Sequence, residues 1–95
     1  MATGGFTYIL TNKIHTVLYV GVTSDLIHRM AQHRSAFYKN SFTSRYHVTQ
    51  LVYYEVFDNI VVAIAREKQL KAGSRQKKLD LISKFNPEWK DISQF

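Results

Sequence analysis

The chain predicts an α+β fold, a small three-stranded, mainly antiparallel sheet flanked by helices in the order β-β-α-β-α-α. Three observations carry that prediction. Two alternating stretches, Phe6 to Leu10 and Thr16 to Thr23, flank the polar break Thr11-Asn12-Lys13 and read as a hairpin. A later stretch, Leu51 to Phe57, is dense in β-branched and aromatic residues and reads as a third strand. Between and after these strands, apolar residues recur at helical spacing behind cap signals.

Taken in order, the first two strands place Val17, Tyr19 and Gly21 on one face, with a short loop around Asn12 to His15. Tyr8 and Tyr19 then fall mid-strand on neighbouring strands, within reach of one another. Gly21 costs a strand stability, and a close approach of backbone or ligand is a reason to keep it. Ser24-Asp25 opens the first helix, with Ser24 as the expected cap, and Leu26, Met30 and His33 recur along it. Arg29 and His33, four apart, share a face. Ser35 to His47 shows no clean period, carries Phe37, Tyr38, Phe42 and Tyr46, and reads as a long loop. After the third strand, Asp58 is the expected cap of a helix to Leu70 or Lys71, with Ile60, Ile64 and Glu67 on or near one face. Gly73 ends it. Ser74 starts the last helix, whose expected buried stripe is Leu79, Ile82 and Phe85 before Asn86-Pro87 stops it.

At 95 residues the chain is expected to be one domain over 1–95, large enough for a core and too short for a second. With no cysteine there is no disulfide framework or thiolate metal site, and the expected compartment is cytoplasmic. No apolar run approaches the ~20 residues of a membrane span. Thirteen Lys and Arg against seven Asp and Glu give a formal charge of +6, which favours a polyanionic partner without choosing among nucleic acids and anionic lipid.

Phenols, a guanidinium and a carboxylate are the chemistry of phosphodiester cleavage. A phenol titrates near 10, so Tyr8 or Tyr19 acting as a base needs positive charge nearby, which Arg29 or a metal supplies. Arg29 could grip a phosphate bidentately and offset charge built up in a transition state. Glu67 is the kind of single carboxylate that binds Mg²⁺ alongside waters and a phosphate. Each also has an ordinary role. A lone strand tyrosine more often packs a sheet, Arg29 could be an exposed helix arginine, His33 a hydrogen-bonded half-buried ring, and Glu67 is spaced to pair with Lys71. Arg66, Lys68, Lys71, Arg75, Lys77 and Lys78 could contact nucleic acid or form a solvated helical face.

The ordered set Phe6-Thr7-Tyr8, Val17 to Leu26 with Tyr19-Val20-Gly21 at its centre, Arg29, His33 and a helical Glu67 resembles the GIY-YIG nuclease superfamily. It is most similar to small stand-alone bacterial members, themselves like the N-terminal nuclease domain of the incision subunit of the excision-repair excinuclease. Phe6-Thr7 replaces the Gly-Ile of the first motif, and Val22 stands where the excision-repair domain has lysine. The resemblance implies the GIY-YIG fold and a divalent-metal-dependent DNA endonuclease, acting in DNA repair or processing. It implies catalytic roles for Tyr8, Tyr19, Arg29, His33, Glu67 and Asn86, a motif role for Gly21, and one Mg²⁺ or Mn²⁺ on Glu67. Asn86 would support the site through hydrogen bonds after a helical segment inserted around Gly73 to Asp80; otherwise it caps a helix. The expected partner is DNA, with room for a protein partner that supplies targeting, and the expected state is a monomer or weak homodimer. The alternative is a nucleic-acid-binding module that keeps this fold without useful catalysis.

Overall fold

The computed structural model describes residues 4–34 and 45–93. Three antiparallel strands form one open sheet in the order β2-β1-β3: β1 (Gly5–Thr11), β2 (Leu18–Thr23) and β3 (Gln50–Phe57). The helices are α1 (Leu26–Arg34), α2 (Ile60–Ala72) and α3 (Arg75–Phe85). The order is therefore β-β-α-β-α-α, as the alternation and cap signals predict. Phe37, Tyr38 and Phe42 lie outside the described residues, while Tyr46 is about half exposed in a turn.

β1 is the central strand, and its side chains alternate between two cores. Tyr8 and Leu10 pack with Leu26 and Met30 of α1, together with Val48 and Leu51. Ile9 faces the other way, into Val20, Val52, Tyr53, Leu70 of α2 and Ile82 of α3. One face of the sheet thus belongs to α1 and the other to α2 and α3. A side chain at Gly5 would meet Ile60 and Ala63 within 2.8 Å, so this glycine lets the start of α2 close on β1. Thr7 fixes the same junction by donating its hydroxyl to the Ala63 carbonyl at 2.7 Å.

The hairpin loop is built on Asn12, whose Oδ1 accepts the amides of Thr16 and Val17, so that His15 is turned into the left-handed region at φ 58. His15 in turn stacks on Trp89, and Arg75 donates to the Thr16 carbonyl, tying hairpin, α3 and C-terminal segment together. On the far edge, Ile92 donates to the Leu51 carbonyl and Asp91 accepts the Leu51 amide, which covers that part of β3.

Two expected caps move by one residue. Asp25, rather than Ser24, accepts the His28 amide, because Thr23 Oγ1 turns the chain first by taking the Asp25 amide. Asn59, rather than Asp58, caps α2 by accepting the Val61 amide at 2.7 Å. Ser74 caps α3 as expected. Two apolar positions also differ. Ile64 is exposed because α2 turns Ala63 and Leu70 to the sheet, and Phe85 lies half out of the core, its ring edge-on to Tyr53 and Tyr54.

Glu55 and Arg66 join β3 to α2. The Arg66 Nε lies 3.1 Å from both Glu55 oxygens, its Nη2 pairs with the same carboxylate, and Tyr53 donates its hydroxyl to Glu55. Burial, and then the bond to Glu55, push the Tyr53 phenol up to about 12.

The cap assignment is checked by urea unfolding. Asn59→Ala is expected to cost about 1 kcal/mol, whereas Asp58→Ala should stay within about 0.5 kcal/mol. The reverse order would return the cap to Asp58.

Candidate active site

On the α1 face, β1 and β2 bring Tyr8 and Tyr19 together. Tyr8 pairs with Gly21 and Tyr19 with Leu10, so the two tyrosines are diagonal neighbours on one face. Their ring centroids are 6.5 Å apart. His33, from the last turn of α1, completes a three-ring cluster, edge-on to Tyr8 at 6.1 Å and to Tyr19 at 5.9 Å. The Tyr8 hydroxyl and His33 Nε2 are 3.2 Å apart.

Gly21 is what permits this arrangement. A Cβ there would stand 2.4 Å from Cζ of Tyr8 and 2.5 Å from its hydroxyl oxygen. The Tyr8 ring therefore lies directly against the β2 backbone, and no other residue leaves it that space. Tyr8 is fully buried and Tyr19 only partly, so Tyr19 is the phenol nearer the surface.

Arg29, one turn before His33, is close enough for its charge to act on the imidazole. Burial, and after it Arg29, hold His33 at about 4, well below its ordinary 6.5. The ring is consequently neutral at pH 7, with one nitrogen a donor and the other an acceptor.

Glu67 approaches from the opposite side of the sheet. It sits between Ala63 and Leu70 on the inner side of α2, its side chain 14% exposed, with Oε2 3.0 Å from the Lys71 ammonium. Lys71, one turn on, lines a cavity of ≈ 440 Å³ along the outer edge of β2 together with Leu18, Tyr19, Val20 and Lys78. The β2 edge is therefore where side chains from the two faces come together. Among the described residues no group of three or more His, Asp or Glu side chains could enclose an ion. A lone carboxylate of this kind fits a divalent cation that keeps its waters and shares a substrate phosphate, and does not fit a closed protein cage.

Several of the remaining expected site residues have other engagements. Asn86 is the C-cap of α3, its Nδ2 donating to the carbonyls of Val52 and Lys90 and its Oδ1 accepting the Lys90 amide. This is the helix-cap role that the sequence also allows, and its amide anchors the C-terminal segment to β3. Arg66 is likewise taken up by Glu55 and Gln69. Lys78 donates to the Gly73 carbonyl, and Lys68 and Lys77 are exposed. The Glu55–Arg66 pair has no signature in the sequence, because partners eleven residues apart on a strand and a helix leave no periodic signal.

The model of the GIY-YIG catalytic domain matches residues 4–80. The chain belongs to the GIY-YIG family. It is 37% identical over 83 residues to a UPF0213 protein of Syntrophus aciditrophicus, covering 87% of this chain and 93% of that protein. It is 41% identical over 66 residues to a UPF0213 protein of Staphylococcus saprophyticus, covering 70% and 79%. The solution NMR structure of a UPF0213 protein from Bacillus halodurans superposes with a TM-score of 0.58 at 27% identity, over 93% of this chain and 92% of that one. Among the described residues, no helix of this GIY-YIG chain is long and apolar enough to cross a membrane.

Two measurements follow from this geometry. Gly21→Ala should cost about 1 to 3 kcal/mol, since the added methyl must displace a buried ring, and should remove the Tyr8–His33 contact from NMR spectra. An unchanged stability would mean that Tyr8 does not lie on β2. The depressed His33 pKa also sets a sign: between about 4 and 6.5 the unfolded chain binds more protons than the folded one, so stability falls as pH is lowered through that window. Urea midpoints of His33→Gln should lose that part of the slope, and an identical pH dependence in the variant would contradict a neutral buried His33.

Proposed function

We propose that the protein is a divalent-metal-dependent endonuclease that hydrolyses phosphodiester bonds in DNA, in repair or another processing step. The observation that supports this most is the three-ring cluster of Tyr8, Tyr19 and His33 beside Arg29, in a chain with the GIY-YIG catalytic domain.

In this proposal Arg29 binds the scissile phosphate and stabilises the charge that grows on its oxygens as water adds to phosphorus. Tyr19, the more exposed phenol, orients the attacking water. Tyr8 sits behind it and aligns His33 through the 3.2 Å contact. His33 is neutral and holds the Tyr8 hydroxyl in place. A pKa of about 4, set first by burial and then by Arg29, keeps its ring uncharged in the free protein. Glu67 would hold one Mg²⁺ or Mn²⁺ after releasing Lys71, and that ion would supply Lewis-acid stabilisation of phosphate and leaving oxygens. The wider placement, a cytoplasmic protein acting with a targeting partner, is part of the same proposal.

The Glu67–Lys71 pair also favours a second reading, a nucleic-acid-binding module whose carboxylate remains tied to lysine. The two differ in a cleavage assay on nicked, flapped, branched and duplex DNA with and without Mg²⁺. Glu67→Ala should abolish metal-dependent cleavage and leave the fold intact, because its partner Lys71 is half exposed and the pair contributes little to stability. Tyr19→Phe should lower turnover about 100-fold or more and Tyr8→Phe by less, with both variants folded. Arg29→Ala should lower kcat more than it weakens substrate affinity. Binding with no cleavage of any substrate would select the binding module, and full activity in Glu67→Ala would remove that residue from the mechanism.

A further inference from the structure

α2 and α3 meet at the Gly73 turn and enclose a second cavity, ≈ 360 Å³, floored by Leu70 and Leu81 and rimmed by Lys77, Lys78 and Lys84. Lys78 belongs to both cavities: it lines this cleft and also the groove at the β2 edge that holds Tyr19 and Lys71. Its ammonium donates to the Gly73 carbonyl, at the turn that joins the two helices.

We infer that the α2–α3 cleft receives the flank of the nucleic-acid strand whose phosphodiester lies at the tyrosine cluster, the backbone running from the β2-edge groove past Lys78 into the cleft. This rests on the nucleic-acid reading above and adds a path and a direction to it. Three observations carry it. Lys78 lines both cavities, so they lie side by side and a strand leaving Tyr19 along β2 meets the cleft next. Lys77 and Lys84 are both exposed and seven residues apart on α3, roughly 10 Å along the helix, a distance that one or two phosphate steps of a single strand cover. The lining has one carboxylate, Asp80, and it is bonded to Gln76. The leucine floor suits the apolar edge of a sugar. Arg66 also lines the cleft but is neutralised by Glu55, so Lys77, Lys78 and Lys84 carry the contact. An acidic protein segment could use the same rim, yet it would leave the continuity with Tyr19 without a reason.

The test is binding of a short labelled DNA oligonucleotide, as duplex and as single strand, in EDTA over a range of salt. Lys77→Gln with Lys84→Gln should make the slope of log affinity against log salt shallower by about 1.8 for duplex or about 1.4 for single strand, and lower affinity by on the order of tenfold for each lysine near 0.1 M salt. The form that shows the loss identifies the flank. Lys90→Gln, which removes one charge at a lysine paired with Glu88 and outside both cavities, is the control, compared per charge removed. A slope change no larger than the control's in both forms would overturn the path and leave the cleft to an acidic protein segment. Cleavage is not needed for this readout, so failure of the endonuclease reading appears separately, as intact substrate in Mg²⁺ with binding and its lysine dependence retained.

Discussion

The contact between the Tyr8 ring and the backbone of Gly21 is the constraint on which the rest of this structure depends. A tyrosine in the central strand could pack against a neighbouring side chain, but here it occupies the place of one, with its hydroxyl carried across β2 toward His33. That requires the β1–β2 register to put Tyr8 opposite the glycine, which in turn sets Tyr19 diagonally on the same face. A slip of β2 by one residue would send Tyr19 to the α2 side, where Ile9 and Val20 now pack, and would take Gly21 away from Tyr8. Hairpin register, core composition and the candidate site are thus one specification.

The same constraint sorts the electrostatics. With Tyr8 fully buried, the polar groups it meets must be neutral or well paired, and His33 meets that condition by remaining unprotonated beside Arg29. Glu67 stays on the opposite face, paired with Lys71, so that the negative and positive halves of the proposed site are separated by the edge strand until a phosphate and a cation bridge them. Among the described residues no strand pairs with the outer side of β2, and the proposed bridging would take place there. On the other side of the sheet, the β3 edge is partly covered by the segment around Asp91 and Ile92.

Much of this was legible in the residues because it is local. Alternation around Tyr8 and Tyr19 showed the hairpin and its shared face, and helical spacing showed that Arg29 and His33 lie together. Gly21 signalled a close approach, though not that Tyr8 makes it. What the residues leave unspecified is of two kinds. Caps shifted by one residue at Asp25 and Asn59 because adjacent polar residues, Ser24 and Asp58, offer equally good side-chain acceptors, and only the path of the chain selects between them. Long-range partners were invisible: Glu55 neutralises Arg66, and Asn86 anchors Lys90 and Val52, through contacts that no periodicity encodes. A basic run read along the sequence as one surface is therefore divided in space between a structural ion pair, two cavities and open solvent.

The state of the His33 imidazole tests the central claim most directly. Nitrogen-15 chemical shifts of the ring, followed from pH 3 to 8, should show a neutral ring through pH 7 with its midpoint near 4, and a hydrogen bond between Nε2 and the Tyr8 hydroxyl. Tyr8→Phe should perturb the Nε2 signal more than the Nδ1 signal. A midpoint at the ordinary 6.5, with no response to Tyr8→Phe, would show that the phenol and the imidazole are not joined.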